Sequence, residues 1–174
     1  IEGAGAHMGQ IPWNIEYVHE LGDMCRAYGT LWLIDEVVTG FRESRGGWQE
    51  VANLSPDLTT LGKCVSGGIP AGALAGRAEV LDVLNPKRPP ELRIRHTGTW
   101  NANPIQCAAG VAACREYLSG AVQARAAALG AHVREKGNEI LASRRVSGRL
   151  YGRTIMHLSL GRIESEPDDV LSPP

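Results

Sequence analysis

Residues 31–34 read LWLI and run directly into Asp35 and Glu36, then VVTGF. Four large apolar residues in succession belong in a protein interior, and a strand covered on both faces, as in a parallel sheet between helices, is the element that accepts such a run. A carboxylate at the end of that strand is costly to bury unless it is met by a cation or by hydrogen-bond donors. The stretch therefore asks for a buried strand ending in a polar contact, and it raises a specific question: which cation meets Asp35?

The flanking sequence supplies the rest of the α/β pattern. Residues 14–28 carry Ile15, Val18, Leu21 and Cys25 at helical spacing, with Asn14 as an N-cap and Gly29 as a stop. Helix followed by buried strand is the rhythm of α/β proteins. Beyond the strand, GFRESRGGW reads as a loop, residues 49–53 as a short helix or turn, and DLTTLGK as a second strand. SGGIPAGALAGR is dense in glycine, which marks tight turns or close approach of a ligand or another chain. Residues 79–84 read as a helix and NPKRPPELRIR as an exposed loop. Two helices follow, NPIQCAAGVAACREYL, with Pro104 tolerated in a first turn, and AVQARAAALGAHVREKGNEIL. SRRVSGRLYGR then leads to a strand at residues 154–160. The final dozen residues have the composition of a disordered tail. The opening IEGAGAHMG and the closing ESEPDDVLSPP both read as cut ends, so a piece of a longer protein is expected.

Composition narrows the function classes. With 174 residues, 43% hydrophobic and 21% charged, the chain has the make-up of a globular domain with a real core. Eighteen basic against 19 acidic residues give a net charge of -1, which leaves no electrostatic footprint for nucleic acid or an anionic membrane. A small molecule or another protein is the expected partner. Cys25, Cys64, Cys107 and Cys114 lie far apart without a CxxC pair, which argues against a zinc site and a disulfide framework and favours a reducing cytoplasm. No apolar run approaches the ~20 residues that span a bilayer, so no membrane association is expected.

Asp35 is nominated by position, because ligands in open α/β sheets sit outside the carboxyl ends of strands. A plain alternative is a turn former, an N-cap or half of an ion pair with Arg42. Lys63 follows the second strand and precedes VSGG. By itself it reads as a surface lysine. A strand-end Asp together with a glycine-flanked Lys in an apolar setting suits a pyridine cofactor better. His96, Cys64 and the group Arg144, Arg145, Arg149 and Arg153 read as, respectively, a surface loop residue, a small hydrophobe and a solvated face.

The segments IDEVVTGFR, LTTLGKCVSGGIPAGALAGR and HTGTWNANPIQCAAGVAA, in this order, resemble the successive motifs of class-III aminotransferases, fold-type-I enzymes that use pyridoxal 5'-phosphate. Within them the chain is most similar to glutamate-1-semialdehyde aminomutase and its relatives, over roughly residues 1–160. The resemblance implies an α/β fold comprising the C-terminal part of a large cofactor-binding domain, residues 1–115, and the beginning of a small domain, residues 116–174. It implies that Lys63 is the catalytic residue, holding the cofactor aldehyde as a Schiff base and then moving a proton. Asp35 would keep the pyridine nitrogen protonated, Val37 would pack on a face of the ring, and Thr99 would reach across a homodimer interface to the partner's cofactor phosphate. No metal is implied. The reaction would pass an amino group from a small-molecule donor to a carbonyl acceptor; an aminomutase or amino-acid racemase on the same framework, and a non-catalytic homologue kept as a subunit, are the alternatives.

The chain also departs from the family pattern. The family's phosphate-binding glycine-serine-threonine loop and its ring-stacking aromatic are expected upstream of the first residue, and Gly3 stands where the family commonly has proline after glutamate.

Overall fold

A computed structural model describes residues 1–3 and 14–161. The expected N-terminal helix is α1, Ile15–Ala27, and the Asn14 side chain accepts the Tyr17 N–H at 2.8 Å. That bond satisfies one of the four free N–H groups of the first turn. Val18 and Gly22 are the buried positions of α1, one turn apart on the inward face. Gly22 is required there for space: a Cβ would stand 2.5 Å from Cζ3 of Trp32.

The following strand β1 is Leu33–Glu36, so it carries Asp35 and Glu36 within it rather than ending before them. It lies parallel to β2, Leu58–Leu61, with Asp35 opposite Thr60 and Glu36 opposite Leu61. On its other edge the first residues run parallel to it, through Asp35 N–H to the Ile1 carbonyl and Gly3 N–H to the Asp35 carbonyl. Between the two strands sits α2, Trp48–Val51, which is the short helix expected near residue 49. Side chains of β1 alternate: Ile34 and Glu36 are fully buried, whereas Leu33 and Asp35 on the opposite face are half-buried. Burial on both faces, expected from the apolar run, is thus complete on one face only. Val18, Trp32, Ile34, Trp48, Ala52 and Leu54 form the core that α1, β1 and α2 enclose.

The glycine-rich stretch expected to form turns contains a strand. β3, Ala73–Gly76, pairs antiparallel with β2 as an edge strand, and all four of its residues are exposed. Then come α3, Ala78–Leu81, and an exposed connection with short 3-10 turns. α4, Pro104–Tyr117, opens on the Asn103 cap, whose side chain accepts the Ile105 N–H at 3.0 Å, with proline in its first turn as expected. α5 is Ala121–Ser143. After it, β4, Gly148–Gly152, and β5, Met156–Leu160, make an antiparallel pair; the sequence pattern signalled β5 and not β4. Asn138 of α5 ties this pair down twice, accepting the Leu150 N–H at 2.7 Å and donating to the Leu150 carbonyl at 2.9 Å. The tail expected to be disordered lies outside the described residues. Among those described, no helix is long and apolar enough to cross a membrane.

Arg153 departs from the solvated face expected of it. It lies 3.9 Å from the buried carboxylate of Glu43, whose other oxygen accepts a hydrogen bond from the Thr154 hydroxyl. Burial raises the Glu43 carboxyl above its ordinary 4.5, against the lowering effects of Thr154, Arg153 and Arg42. The folded state therefore holds this proton more tightly than the unfolded chain, so stability falls as pH rises from about 4.5 toward the folded value. Glu43→Gln removes that dependence. The stability of the variant relative to wild type should increase between pH 4.5 and 7 in denaturant titrations of the full-length protein; a difference that stays flat or declines would contradict this account.

Candidate active site

The two parallel strands deliver their carboxyl ends to one edge of the sheet. Strand neighbours lie about 4.8 Å apart, and Lys63 comes two residues after Leu61, which stands opposite Glu36. Asp35 and Lys63 thus occupy the same edge of adjacent strands, the position where open α/β sheets take ligands.

Strand alternation decides which carboxylate faces which way. Glu36 points into the core at 0% exposure and is met by donors rather than by a cation: the Trp48 N–H at 3.0 Å, the Gln49 N–H at 2.7 Å and the Thr39 hydroxyl. It organises the turn that follows β1, whose Gly40 N–H returns to the Glu36 carbonyl at 2.8 Å. Asp35 points to the opposite, more open face. Its Oδ1 accepts the Val37 N–H at 2.8 Å, and an ionised carboxylate has room for about four such bonds. Arg42, the cation weighed as its partner, instead donates to the Val38 carbonyl at 3.0 Å and to Cys64 Sγ at 3.6 Å. Thr60, opposite Asp35 in register and hence on the same face, carries a solvent-shielded hydroxyl with no hydrogen-bond partner among the described residues. The answer to the opening question is that, among the described residues, no cation meets Asp35.

The Lys63 turn is held close to this edge. Residues Lys63–Ser66 form a 3-10 turn, and Lys63 itself is exposed with φ at 44°, in the left-handed region. A residue other than glycine there costs on the order of 1–3 kcal/mol, and such strain gathers at functional sites. Gly62, the residue before it, packs on Val37: a Cβ at 62 would stand 3.0 Å from Val37 Cγ1. Behind the turn lies α4, where Gly110 lets the helix pass so near that a Cβ would be 2.9 Å from the Val65 carbonyl oxygen. If function holds Lys63 in strain, glycine at this position relieves it. In chemical denaturation of the full-length protein, Lys63→Gly should be more stable than Lys63→Ala by up to about 1 kcal/mol; equal or lower stability would show the turn to be unstrained.

Of the four residues nominated from sequence, Asp35, Val37 and Lys63 therefore share one edge of the sheet. Thr99 stands apart on an exposed turn. Beside it Trp100 is 71% exposed, and Asn101 Nδ2 donates to His96 Nδ1 at 3.1 Å, so His96 is the surface loop residue expected. Glu36 is the buried carboxylate that the apolar run conceals. Its signal was present, since it shares strand parity with Ile34.

A cofactor with a cationic ring nitrogen and an aldehyde fits the residues present: a half-buried carboxylate with spare acceptor capacity and an exposed amine at one edge of the sheet, with the aliphatic Val37 packed on Gly62, the residue before Lys63. Among the described residues no group of three or more His, Cys, Asp or Glu is placed to hold a metal. Residues 1–159 match the family model "Aminotransferase class-III". The chain belongs to the class-III aminotransferase family. It is 40% identical over 126 residues to a glutamate-1-semialdehyde 2,1-aminomutase of Akkermansia muciniphila, covering 72% of this chain and 29% of the relative. To the enzyme of the same name from Opitutus terrae it is 37% identical over 148 residues, 85% of this chain and 33% of the relative. In three dimensions it is similar to an omega-transaminase from Sphaerobacter thermophilus, with a TM-score of 0.82 and 35% identity over 95% of this chain and 37% of that one. A β-phenylalanine aminotransferase from Variovorax paradoxus is also similar, with a TM-score of 0.81 and 29% identity over 99% of this chain and 39% of that one. This class-III chain thus has the fold of type-I pyridoxal-phosphate-dependent transferases, and it spans about a third of the length of the curated relatives it matches. Gly3, in place of the proline common in the family, is buried where a Cβ would stand 3.3 Å from both Thr39 Oγ1 and Trp48 Cβ.

Proposed function

We propose that the full-length protein is a pyridoxal 5'-phosphate-dependent aminotransferase, with Lys63 as its catalytic residue. The observation that carries this reading is the placement of Asp35 and Lys63 on the carboxyl ends of adjacent parallel strands, with Asp35 open to a ligand. When bound, the cofactor supplies an electron sink, a protonated pyridine ring that stabilises negative charge on the carbon next to the amino group. Asp35 would hold the proton on the ring nitrogen, Val37 would support a ring face, and the Lys63 amine would anchor the aldehyde and carry a proton to and from the substrate carbon. Thr99 would serve the phosphate of a neighbouring subunit, which makes a homodimer the functional unit. A small-molecule amino donor and a carbonyl acceptor are the substrates.

The division is into a large cofactor-binding part, residues 1–115, and the start of a small domain, residues 116–174; what supports it is that α5 carries the β4–β5 pair through the two Asn138–Leu150 bonds. Four free cysteines support a reducing, cytoplasmic setting.

The names of the curated relatives favour a second reading, an intramolecular aminomutase. The two separate in one experiment. An aminotransferase given cofactor and donor but no acceptor releases one equivalent of carbonyl product per site. An aminomutase yields an isomer of its substrate, a racemase yields its mirror image, and a non-catalytic subunit yields nothing. Release of less than a tenth of an equivalent across a broad donor panel would overturn the aminotransferase reading.

A further inference from the structure

We propose that Tyr117, the last residue of α4, is a positioning residue for Lys63; this rests on the reading of Lys63 given above. Its hydroxyl donates to the Cys64 carbonyl at 3.2 Å. Among the described residues this is the one side-chain hydrogen bond that reaches the backbone of the Lys63–Ser66 turn from another element. The remaining bonds of that backbone are local, among them Val65 N–H to the Gly62 carbonyl, Gly67 N–H to the Cys64 carbonyl, Ile69 N–H to the Ser66 carbonyl and Ser66 Oγ to the Lys63 carbonyl. Local bonds of this kind move with the turn. They cannot fix where the turn stands relative to Asp35.

The Tyr117 ring makes the other half of the connection. It stacks on Phe41 with ring centroids 5.6 Å apart and an interplanar angle of 26°. Phe41 belongs to the loop that follows β1, only a few residues beyond Asp35, and has φ at 58°. Its carbonyl is held from α5 by Gln123 Nε2 at 3.1 Å, and its neighbour Arg42 reaches across to Cys64 Sγ. One side chain thus clasps the loop after β1 through its ring and the turn after β2 through its hydroxyl. These are the segments that present Asp35 and Lys63. A backbone held at an unfavourable φ persists only where its surroundings over-determine it, and the hydroxyl contact adds a hydrogen-bond restraint next to Lys63 to the packing of Gly62 on Val37 and of α4 on Val65. Burial raises the Tyr117 phenol above its ordinary value, so it remains a donor through the neutral range.

The test is Tyr117→Phe in the full-length protein, which keeps the ring and its stacking on Phe41 and deletes only the donor. Hydrogen exchange of the cofactor-free protein should show the amides of residues 63–67 exchanging about fivefold faster, with those of α4 and the unfolding midpoint unchanged. In the loaded enzyme kcat should fall about fivefold with KM within twofold of wild type, and 4-aminophenylalanine incorporated at position 117, which restores an N–H donor, should recover most of both losses. Exchange at 63–67 equal to wild type would overturn the proposal. So would a uniform rise across α4 with a lowered midpoint, which is the signature of lost packing; if Tyr117→Phe cannot be produced folded, the same two outcomes are read from 4-fluorophenylalanine at position 117, which keeps the ring and has no donor, against the 4-aminophenylalanine protein. The exchange arm needs no cofactor, so its failure sinks the positioning role alone. A wild type that carries no cofactor on Lys63 sinks the functional reading instead.

Discussion

Asp35→Asn in the full-length protein is expected to leave the cofactor bound and to slow proton abstraction from the substrate by orders of magnitude. The amide fills the same space and its oxygen can still accept the Val37 N–H that Asp35 now accepts at 2.8 Å, so the fold of the strand end is preserved. On the proposed reading, what it loses is the negative charge that would hold a proton on the ring nitrogen, and with it the electron sink. Each factor of ten corresponds to about 1.4 kcal/mol of barrier, and a charge-assisted hydrogen bond in a half-buried site is among the stronger single contributions available. Single-turnover kinetics with a deuterated donor isolate the step. A rate within tenfold of wild type would remove Asp35 from the mechanism.

The second large effect comes from mixing two inactive full-length variants, Lys63→Ala and Thr99→Arg. Thr99 is exposed on a turn, and the site it is proposed to serve is a neighbouring subunit's. In a mixed dimer a trans-acting Thr99 gathers both lesions into one site and leaves the other whole. Activity should then climb from background toward half of wild type in the mixed species. If Thr99 serves its own site, every site carries a lesion, and no activity returns even after subunit exchange is verified by differential tagging. A hydroxyl contact to a charged phosphate is worth roughly 1.5–3 kcal/mol, so Thr99→Ala alone should weaken cofactor affinity by one to two decades.

Where the chain signals its structure locally, the sequence was readable. Asn14 and Asn103 act as caps because a short side-chain acceptor at that position meets a free first-turn N–H, and Pro104 fits a first turn because that turn needs no donor from it. β1 and β2 announced themselves through apolar and β-branched runs. β3 did not: ALAG is exposed and glycine-ended, and it is a strand only because β2 offers it a partner beyond the loop that carries the Lys63 turn. β4 was hidden in the same way between Gly148 and Gly152, its pairing supplied by β5 and its seat by Asn138. Neither strand has a pattern that a local reading could find, since tertiary pairing overrides propensity.

The site shows the same division. The choice between Asp35 and Glu36 is fixed by strand parity, which places Glu36 with Ile34 in the core and turns Asp35 outward; the run of apolar letters obscured that alternation. The roles of Lys63, Val37 and Thr99 came from motif resemblance, because their own types are commonplace. Only the structure exposed the strained φ of Lys63, the Val37–Gly62 contact and the Tyr117 clasp, all of which depend on segments distant in sequence.

The most direct measurement is to saturate the full-length protein with pyridoxal 5'-phosphate, reduce it with borohydride and map the labelled peptide. Reduction fixes the bond between a lysine amine and the cofactor aldehyde, so the label reports the lysine itself and is independent of substrate choice. The account predicts one cofactor per chain, on Lys63 in the peptide containing LTTLGKCVSGG. Label on any other lysine, Lys87 and Lys136 included, or none after saturation, would contradict it.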